Sequence, residues 1–204
     1  MVSKEVNMKE LFYKISEDKR DTIILNSIYE FSNYYYHEAS LNRIIKASNI
    51  SKGGLFKYID SKEDLYLYIL EKELKRLINY QLENTNLETT EFFARIKELS
   101  IQSIDFYKEN KATYKFILHA LTDTTAPVYD KVINIKDEIV SQLQDEMLKN
   151  IDFDCYKIPK SEILIMYKFI SDGVNQSINN DTCIEDIIRM LELILDALKY
   201  GIVK

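Results

Sequence analysis

Residues 40–65 have the sequence SLNRIIKASNISKGGLFKYIDSKEDL, and this stretch decides the fold. Ser40 can cap a first short helix that ends near Asn49, because asparagine tolerates the left-handed backbone of a tight turn. Ser51 can cap a second short helix, and Ser61 with an acid three residues later is typical of the start of a third, long helix. Two short helices joined by a turn of about three to four residues and followed by a long helix predict a helix-turn-helix.

The rest of the chain favours an all-α fold. Hydrophobic residues make up 46% of the 204 residues, and four Gly and two Pro are too few for an all-β fold with many tight turns. Residues 1–16 are predicted to be a frayed start with room for one helical turn, and a loop is predicted at 179–182. The helical spacing of apolar residues predicts about nine helices, at 17–35, 41–48, 52–58, 61–83, 89–107, 111–121, 127–149, 159–178 and 184–200.

The charge distribution favours nucleic acid at the helix-turn-helix and nowhere else. The whole chain has a formal net charge of −6, which would repel DNA. Residues 40–59, however, contain Arg43, Lys46, Lys52 and Lys57 and no acidic residue. This basic segment would attract DNA to one part of an otherwise acidic protein.

The second short helix has the side chains that a recognition helix needs. Leu55 and Ile59 would face the protein's own domain, whereas the glycines and lysines around them would face the major groove. Phosphates would be contacted by Lys57, Tyr58 and the amino end of the long helix, where backbone N–H groups point outward. The predicted DNA-binding residues are Ser40, Asn42, Ser51, Lys52, Gly53, Gly54, Phe56, Lys57, Tyr58 and Lys62.

The same stretch resembles the DNA-binding signature of the TetR family of bacterial transcriptional repressors. In that family an apolar helix leads into Ala-Ala-Gly-Val-Ser-Lys-Gly-Thr-Leu-Tyr-x-(His/Tyr)-Phe, and Ser-Lys-Glu-(Asp/Glu)-Leu follows. The matching or conservatively replaced residues are Ala47, Ile50, Ser51, Lys52, Gly53, Leu55, Phe56, Tyr58, Ser61, Lys62, Glu63, Asp64 and Leu65. Asn49 replaces the turn glycine and Gly54 replaces the recognition-helix threonine, so the operator sequence does not follow from the family.

The resemblance covers residues 20–65 and implies two domains. Residues 1–60 would form the three-helix DNA-binding domain, and residues 61–204 would form a helical ligand-binding and dimerisation domain. It also implies a repressor that leaves a palindromic operator when a small inducer binds in a cavity among the central helices.

Aromatic residues are the candidates for the lining of that cavity. No buried acid or base stands out in the sequence, so an apolar or aromatic inducer is predicted. Core packing is the alternative explanation for each aromatic. The predicted ligand-binding residues are Phe93, Phe106, Tyr114, His119, Tyr129 and Tyr167.

The last two predicted helices are apolar on more than one face, so more than one face must be buried. Gly173 would let a partner helix approach closely, and helix-turn-helix proteins commonly bind DNA as twofold dimers. An intramolecular core is the alternative explanation. The predicted homodimer residues are Ile163, Ile170, Gly173, Val174, Ile187, Leu191, Ile194 and Leu198.

Neither catalysis, a metal site nor a cofactor is predicted. His37 and His119 are the only histidines and are far apart in sequence, and no Gly-rich phosphate loop or Ser-His-Asp spacing occurs. Cys155 and Cys183 lack CxxC spacing, and neither a signal peptide nor a membrane-spanning run is found, so a cytoplasmic location is predicted. The alternative function is a TetR-like co-regulator that binds a ligand or a partner but has lost sequence-specific DNA binding.

Overall fold

The computed structural model describes residues 8–178 and 183–202, and within these ranges it has ten helices and no strand. The predicted all-α fold is therefore confirmed. The predicted loop at 179–182 and the first seven residues lie outside the described ranges. The helices are α1 (Glu10–Lys14), α2 (Glu17–Asn33), α3 (Leu41–Ala47), α4 (Lys52–Leu55), α5 (Lys62–Glu83), α6 (Phe92–Glu109), α7 (Lys111–Thr122), α8 (Tyr129–Met147), α9 (Lys160–Ser177) and α10 (Ile184–Ile202).

The chain forms two compact units, and each unit is built from segments that are separate in sequence. Among the described residues, the first unit comprises residues 8–76 and 110–139, and the second comprises residues 77–109, 140–178 and 183–202. The first unit thus includes α7 together with the helix-turn-helix. A functional boundary at residue 60 stays a prediction, because it concerns which residues bind DNA rather than which residues pack together.

Three aromatic rings hold the first unit together. The ring centroid of Phe31 on α2 lies 4.8 Å from that of Tyr66 on α5 and 5.5 Å from that of Phe116 on α7. Tyr66 and Phe116 complete the triangle at 5.1 Å in an edge-to-face arrangement, which aromatic pairs prefer. Burial raises the pKa of the Tyr66 hydroxyl. The cluster fixes α2 against α5 and α7.

Helix α1 lies in the segment for which the sequence predicts a frayed start with room for one helical turn, and residues 10–14 form that turn. A five-residue helix is not stable by itself, so tertiary contacts must hold it. Phe12 supplies them: its side chain is fully buried, and its ring centroid lies 5.8 Å from that of Tyr68 on α5.

The start of α6 differs from the prediction by three residues, because a side chain decides it. The helix begins at Phe92 rather than at Thr89. The Glu91 carboxylate accepts hydrogen bonds from the backbone N–H groups of Phe93 (2.9 Å) and Ala94 (3.1 Å), which have no acceptor within the helix. Desolvation opposes ionisation of Glu91, but these bonds and the Lys199 ammonium leave its pKa below the ordinary value.

Arg95 on α6 is a buried cation that organises the second unit. Its side chain is fully buried, and its guanidinium donates to the carbonyl oxygens of Met147 (2.8 Å), Leu87 (2.7 Å) and Thr89 (2.6 Å). Met147 is the last residue of α8, where carbonyl groups lack helical partners. Arg95 thus ties the end of α8 to the loop before α6.

We predict that Arg95→Met lowers the free energy of unfolding by about 3 kcal/mol, because it removes the donor to the buried Met147 carbonyl and to the part-buried carbonyls of Leu87 and Thr89. Urea denaturation followed by far-ultraviolet circular dichroism measures the change. Lys108→Met on the same helix is the control, since Lys108 is half-exposed and pairs with Asp105 at the surface. Equal midpoints for the two variants would contradict the role assigned to Arg95.

Candidate nucleic-acid interface

The turn between α3 and α4 has the geometry that the sequence predicts. Asn49 has a φ of 50°, in the left-handed region, so the prediction that it replaces a turn glycine is confirmed. The Ser51 hydroxyl accepts a hydrogen bond of 3.0 Å from the backbone N–H of Gly54, and this N-cap starts α4 as expected.

Helix α4 is shorter than predicted. It ends at Leu55 rather than at Tyr58, because Gly53 and Gly54 each disfavour helix by about 1 kcal/mol relative to alanine. The chain continues in tight turns, in which the N–H groups of Tyr58 (2.8 Å) and Ile59 (3.2 Å) both donate to the Leu55 carbonyl. Leu55 and Ile59 are buried, as predicted.

A buried carboxylate on α2, rather than a serine cap, holds the start of α3. Ser40 is at the N-cap position, but its hydroxyl makes no capping hydrogen bond. Its backbone N–H instead donates to Glu30 Oε1 at 2.7 Å. Glu30 is only 6% exposed and also binds the guanidinium of Arg43, with Nε 2.9 Å and Nη2 2.6 Å from Oε1.

Arg43 has two further partners besides Glu30, so it contributes less positive charge to the surface than the sequence suggests. Its guanidinium donates to the Glu38 carbonyl at 2.8 Å and lies 4.0 Å from the ring centroid of Tyr34. Because Glu30 matches its charge, the positive potential of this segment rests on the exposed residues Lys46, Lys52 and Lys57.

The start of α5 is formed as predicted, but Lys62 points inward. Ser61 accepts a hydrogen bond of 3.1 Å from the Asp64 N–H and donates one of 2.7 Å to its carboxylate. The Lys62 ammonium donates to the carbonyl oxygens of Tyr36 (2.7 Å) and Ala39 (3.0 Å), and burial lowers its pKa. This ammonium ties α5 to the loop before α3, so a phosphate contact at Lys62 would come from its backbone N–H.

Six of the ten predicted DNA-binding residues have exposed side chains or backbone. Ser40, Gly54 and Lys62 are half-buried, and Tyr58 is 5% exposed, with its ring 6.1 Å from that of Phe12. Packing is therefore the main role of Tyr58 in this structure. The exposed members of the set are Asn42, Ser51, Lys52, Gly53, Phe56 and Lys57.

The predicted ligand-binding residues are divided equally between the two units. Tyr114, His119 and Tyr129 belong to the first unit, whereas Phe93, Phe106 and Tyr167 belong to the second. Phe93, Phe106 and Tyr114 are buried, as core residues are.

His119 packs against α2. Its ring stacks on Tyr35 with centroids 4.6 Å apart, and Nδ1 lies 3.4 Å from the Phe31 carbonyl oxygen. Burial lowers the pKa of His119.

A cleft in the second unit includes Tyr167. Its empty volume is about 210 Å³, a figure that includes open solvent at its mouth, so the enclosed space is small. Gln81 is fixed at one side by hydrogen bonds to the Leu99 carbonyl (3.0 Å) and Ser103 (2.8 Å). The cleft presents hydroxyl and amide groups, and Tyr167 is the one predicted ligand-binding residue in its lining. Its lining residues are Gln81, Leu99, Ser100, Ser103, Tyr167, Ser171, Val174 and Asn175.

Half of the predicted dimer residues are buried in the core of the second unit. Ile163, Val174, Ile187 and Leu191 are buried, Ile170 and Leu198 are half-buried, and Gly173 and Ile194 are exposed. The same two helices carry large apolar side chains that the prediction does not include and that are more than half exposed. These are Ile165, Phe169, Met190, Leu193 and Tyr200.

The described residues show neither a group of three potential metal-binding side chains nor a helix with the length and apolar character of a membrane span.

We predict that Glu30→Gln destabilises the protein by about 2 kcal/mol, because it leaves the Arg43 guanidinium without a charged partner while one amide oxygen still accepts. Urea denaturation measures the loss. Glu38→Gln is the matched control, since it keeps the Glu38 carbonyl to which Arg43 donates and removes a more distant, exposed carboxylate. The role of Glu30 is refuted if the two variants unfold at the same midpoint.

No family model and no curated protein matches the chain in sequence. A solved TetR-family transcriptional regulator from Chloroflexus aurantiacus J-10-FL is 19% identical, with a TM-score of 0.68 over 97% of this chain and 99% of that one. A provisionally assigned TetR-family regulator from Syntrophomonas wolfei str. Goettingen is 20% identical, with a TM-score of 0.70 over 91% and 96%. A TetR transcriptional regulator from Rhodococcus sp. RHA1 is 15% identical, with a TM-score of 0.53 over 91% and 98%. The chain therefore has the fold of the TetR-family transcriptional regulators, as the resemblance of residues 40–65 predicts.

Proposed function

We propose that this chain is a DNA-binding transcriptional regulator, acting as a repressor, that binds a palindromic operator as a homodimer. The observation that carries the proposal is a capped helix-turn-helix whose exposed side chains include Lys46, Lys52 and Lys57, on a fold shared with TetR-family regulators. A regulator of this kind would act in the cytoplasm, without a cofactor or a catalytic step.

Helix α4 would enter the major groove. Gly53 is exposed and has no atom near the position of a Cβ, so the backbone can approach a base pair closely. Phe56 is 37% exposed and could pack against a thymine methyl group, while Lys52 and Lys57 reach bases or phosphates. Ser40, Asn42 and the amino end of α5 would contact the phosphate backbone.

Helix α5 is the candidate for transmitting ligand binding. It is one continuous helix whose residues 62–76 belong to the first unit and whose residues 77–83 belong to the second. An inducer would favour one packing of the sensor helices and thereby lower DNA affinity, by no more than its differential affinity for the two states. The apolar or aromatic inducer predicted from the sequence remains a proposal, and the hydroxyl-rich cleft does not support it.

The homodimer would use the outer faces of α9 and α10. On α10, Ile187, Leu191 and Leu195 are buried, so they belong to the core of the unit. Met190 and Leu193 lie on the other side of the helix, Ile194 borders the buried stripe, and all three are more than 40% exposed. A helix that is apolar on both faces has to bury both, which supports a second copy as the partner of the outer face.

A co-regulator without sequence-specific DNA binding is the second candidate. The inward ammonium of Lys62 and the pairing of Arg43 with Glu30 favour it, because both reduce the charge available to phosphates. The formal net charge of −6 also favours the co-regulator, because it would repel DNA. Binding to DNA distinguishes the two candidates.

We predict that the protein binds a DNA fragment from upstream of its own gene and that Lys52→Ala and Lys57→Ala each weaken binding roughly three- to tenfold. Each should also lower the slope of log affinity against log salt by about 1, because one phosphate contact is lost. Fluorescence anisotropy at several salt concentrations measures both effects. Lys111→Ala, an exposed lysine on α7, is the control. Absence of binding by the unmodified protein would favour the co-regulator instead.

We predict that Phe169→Glu and Leu193→Glu convert a dimer to a monomer, because each buries a charge in an apolar interface. Light scattering after size-exclusion chromatography gives the mass. Leu25→Glu makes the same change at an exposed apolar residue of α2, which is 65% exposed and belongs to the first unit, and should leave the mass unchanged. If the unmodified protein has the mass of a monomer, the proposed interface of α9 and α10 is wrong.

A further inference from the structure

The recognition helix α4 has little intrinsic stability. It has one turn, and two of its four residues are glycine, which lose more backbone entropy on folding than other residues. Ser51 satisfies a donor at its amino end. The carbonyl groups beyond its carboxyl end need donors from elsewhere in the chain.

Lys9 supplies those donors from a segment far away in sequence. Its backbone N–H donates to the Tyr58 carbonyl at 2.9 Å, and its ammonium donates to the Phe56 carbonyl at 3.0 Å. The same ammonium lies 2.6 Å from a carboxylate oxygen of Asp60. One residue thus contacts alternate positions 56, 58 and 60 along the chain that leaves α4.

The core holds Lys9 in place. The N–H of Phe12 donates to the Lys9 carbonyl at 2.8 Å, and the fully buried Phe12 ring packs against Tyr58 and Tyr68. Helix α1 packs through Phe12 against Tyr58, in the segment that follows α4. This packing also holds Lys9 next to that segment. Asp60 matches the charge of the Lys9 ammonium, which argues against a phosphate contact.

We propose that Lys9 is a positioning residue for DNA binding: residues 9–12 clamp the carboxyl end of the recognition helix and hold Phe56 and Lys57 ready for the major groove. This inference rests on the proposed function for its effect on DNA, whereas the clamp itself is a property of the free protein. Pre-ordering a binding segment raises affinity because less conformational entropy is lost on binding.

Two measurements on Lys9→Met test the proposal, since methionine keeps the backbone N–H and the apolar stem but removes the ammonium. In the free protein, amide hydrogen exchange at residues 56–59 should become about fivefold faster. Affinity for the upstream DNA should fall by about fivefold, while the slope of log affinity against log salt stays unchanged, because no phosphate contact is lost. Lys9→Arg, which can reach the same carbonyl and carboxylate, should restore both values.

Lys14→Met is the matched control, because Lys14 lies on α1 but its ammonium pairs with Glu10 at the surface. Exchange at 56–59 that is the same in the Lys9→Met and Lys14→Met variants would overturn the clamp. A salt slope lowered by about 1 in Lys9→Met would overturn the positioning role and make Lys9 a phosphate contact. If the unmodified protein binds no DNA, the proposed function fails, and the exchange measurement alone still decides whether the clamp exists.

Discussion

The buried carboxylate of Glu30 is the constraint on which the helix-turn-helix depends. A carboxylate that is 6% exposed must be paired and hydrogen-bonded, because the cost of removing its charge from water is otherwise large. The Ser40 N–H and the Arg43 guanidinium meet that requirement. The start of α3 and its orientation against α2 follow from this one group.

Contacts between α2, the segment after it and α7 connect the helix-turn-helix to α7 and to the loop that follows α7. Phe31 on α2 packs against Phe116 on α7, and His119 on α7 stacks on Tyr35, two residues after the end of α2. His37, in the loop before α3, lies with Nε2 3.2 Å from the Thr125 carbonyl oxygen. A displacement of α7 would have to move these contacts, so the first unit couples the helix-turn-helix to a helix that the sequence assigns to the sensor domain.

The segment around helix α4 shows where prediction from sequence reached its limit. Ser51, Asn49 and Ser61 act within a few residues of their partners, and their roles were predicted correctly. Lys9 and Glu30 act on segments that are distant in sequence, and no local pattern marks them. Lys62 was placed at the correct helix start, but the direction of its ammonium depends on carbonyl groups of another loop.

The sequence by itself determined the helix class, the positions of most helices and the location of the helix-turn-helix, because periodicity, caps and turn residues are local properties. The tertiary structure decided which charges remain available, how far α4 extends and which apolar faces of α9 and α10 stay exposed. All three outcomes depend on contacts with segments that are distant in sequence. A charge is neutralised, a group is desolvated or a face is buried only when such a segment packs against it. The same arginine, lysine or isoleucine therefore has a different role according to its partner in space.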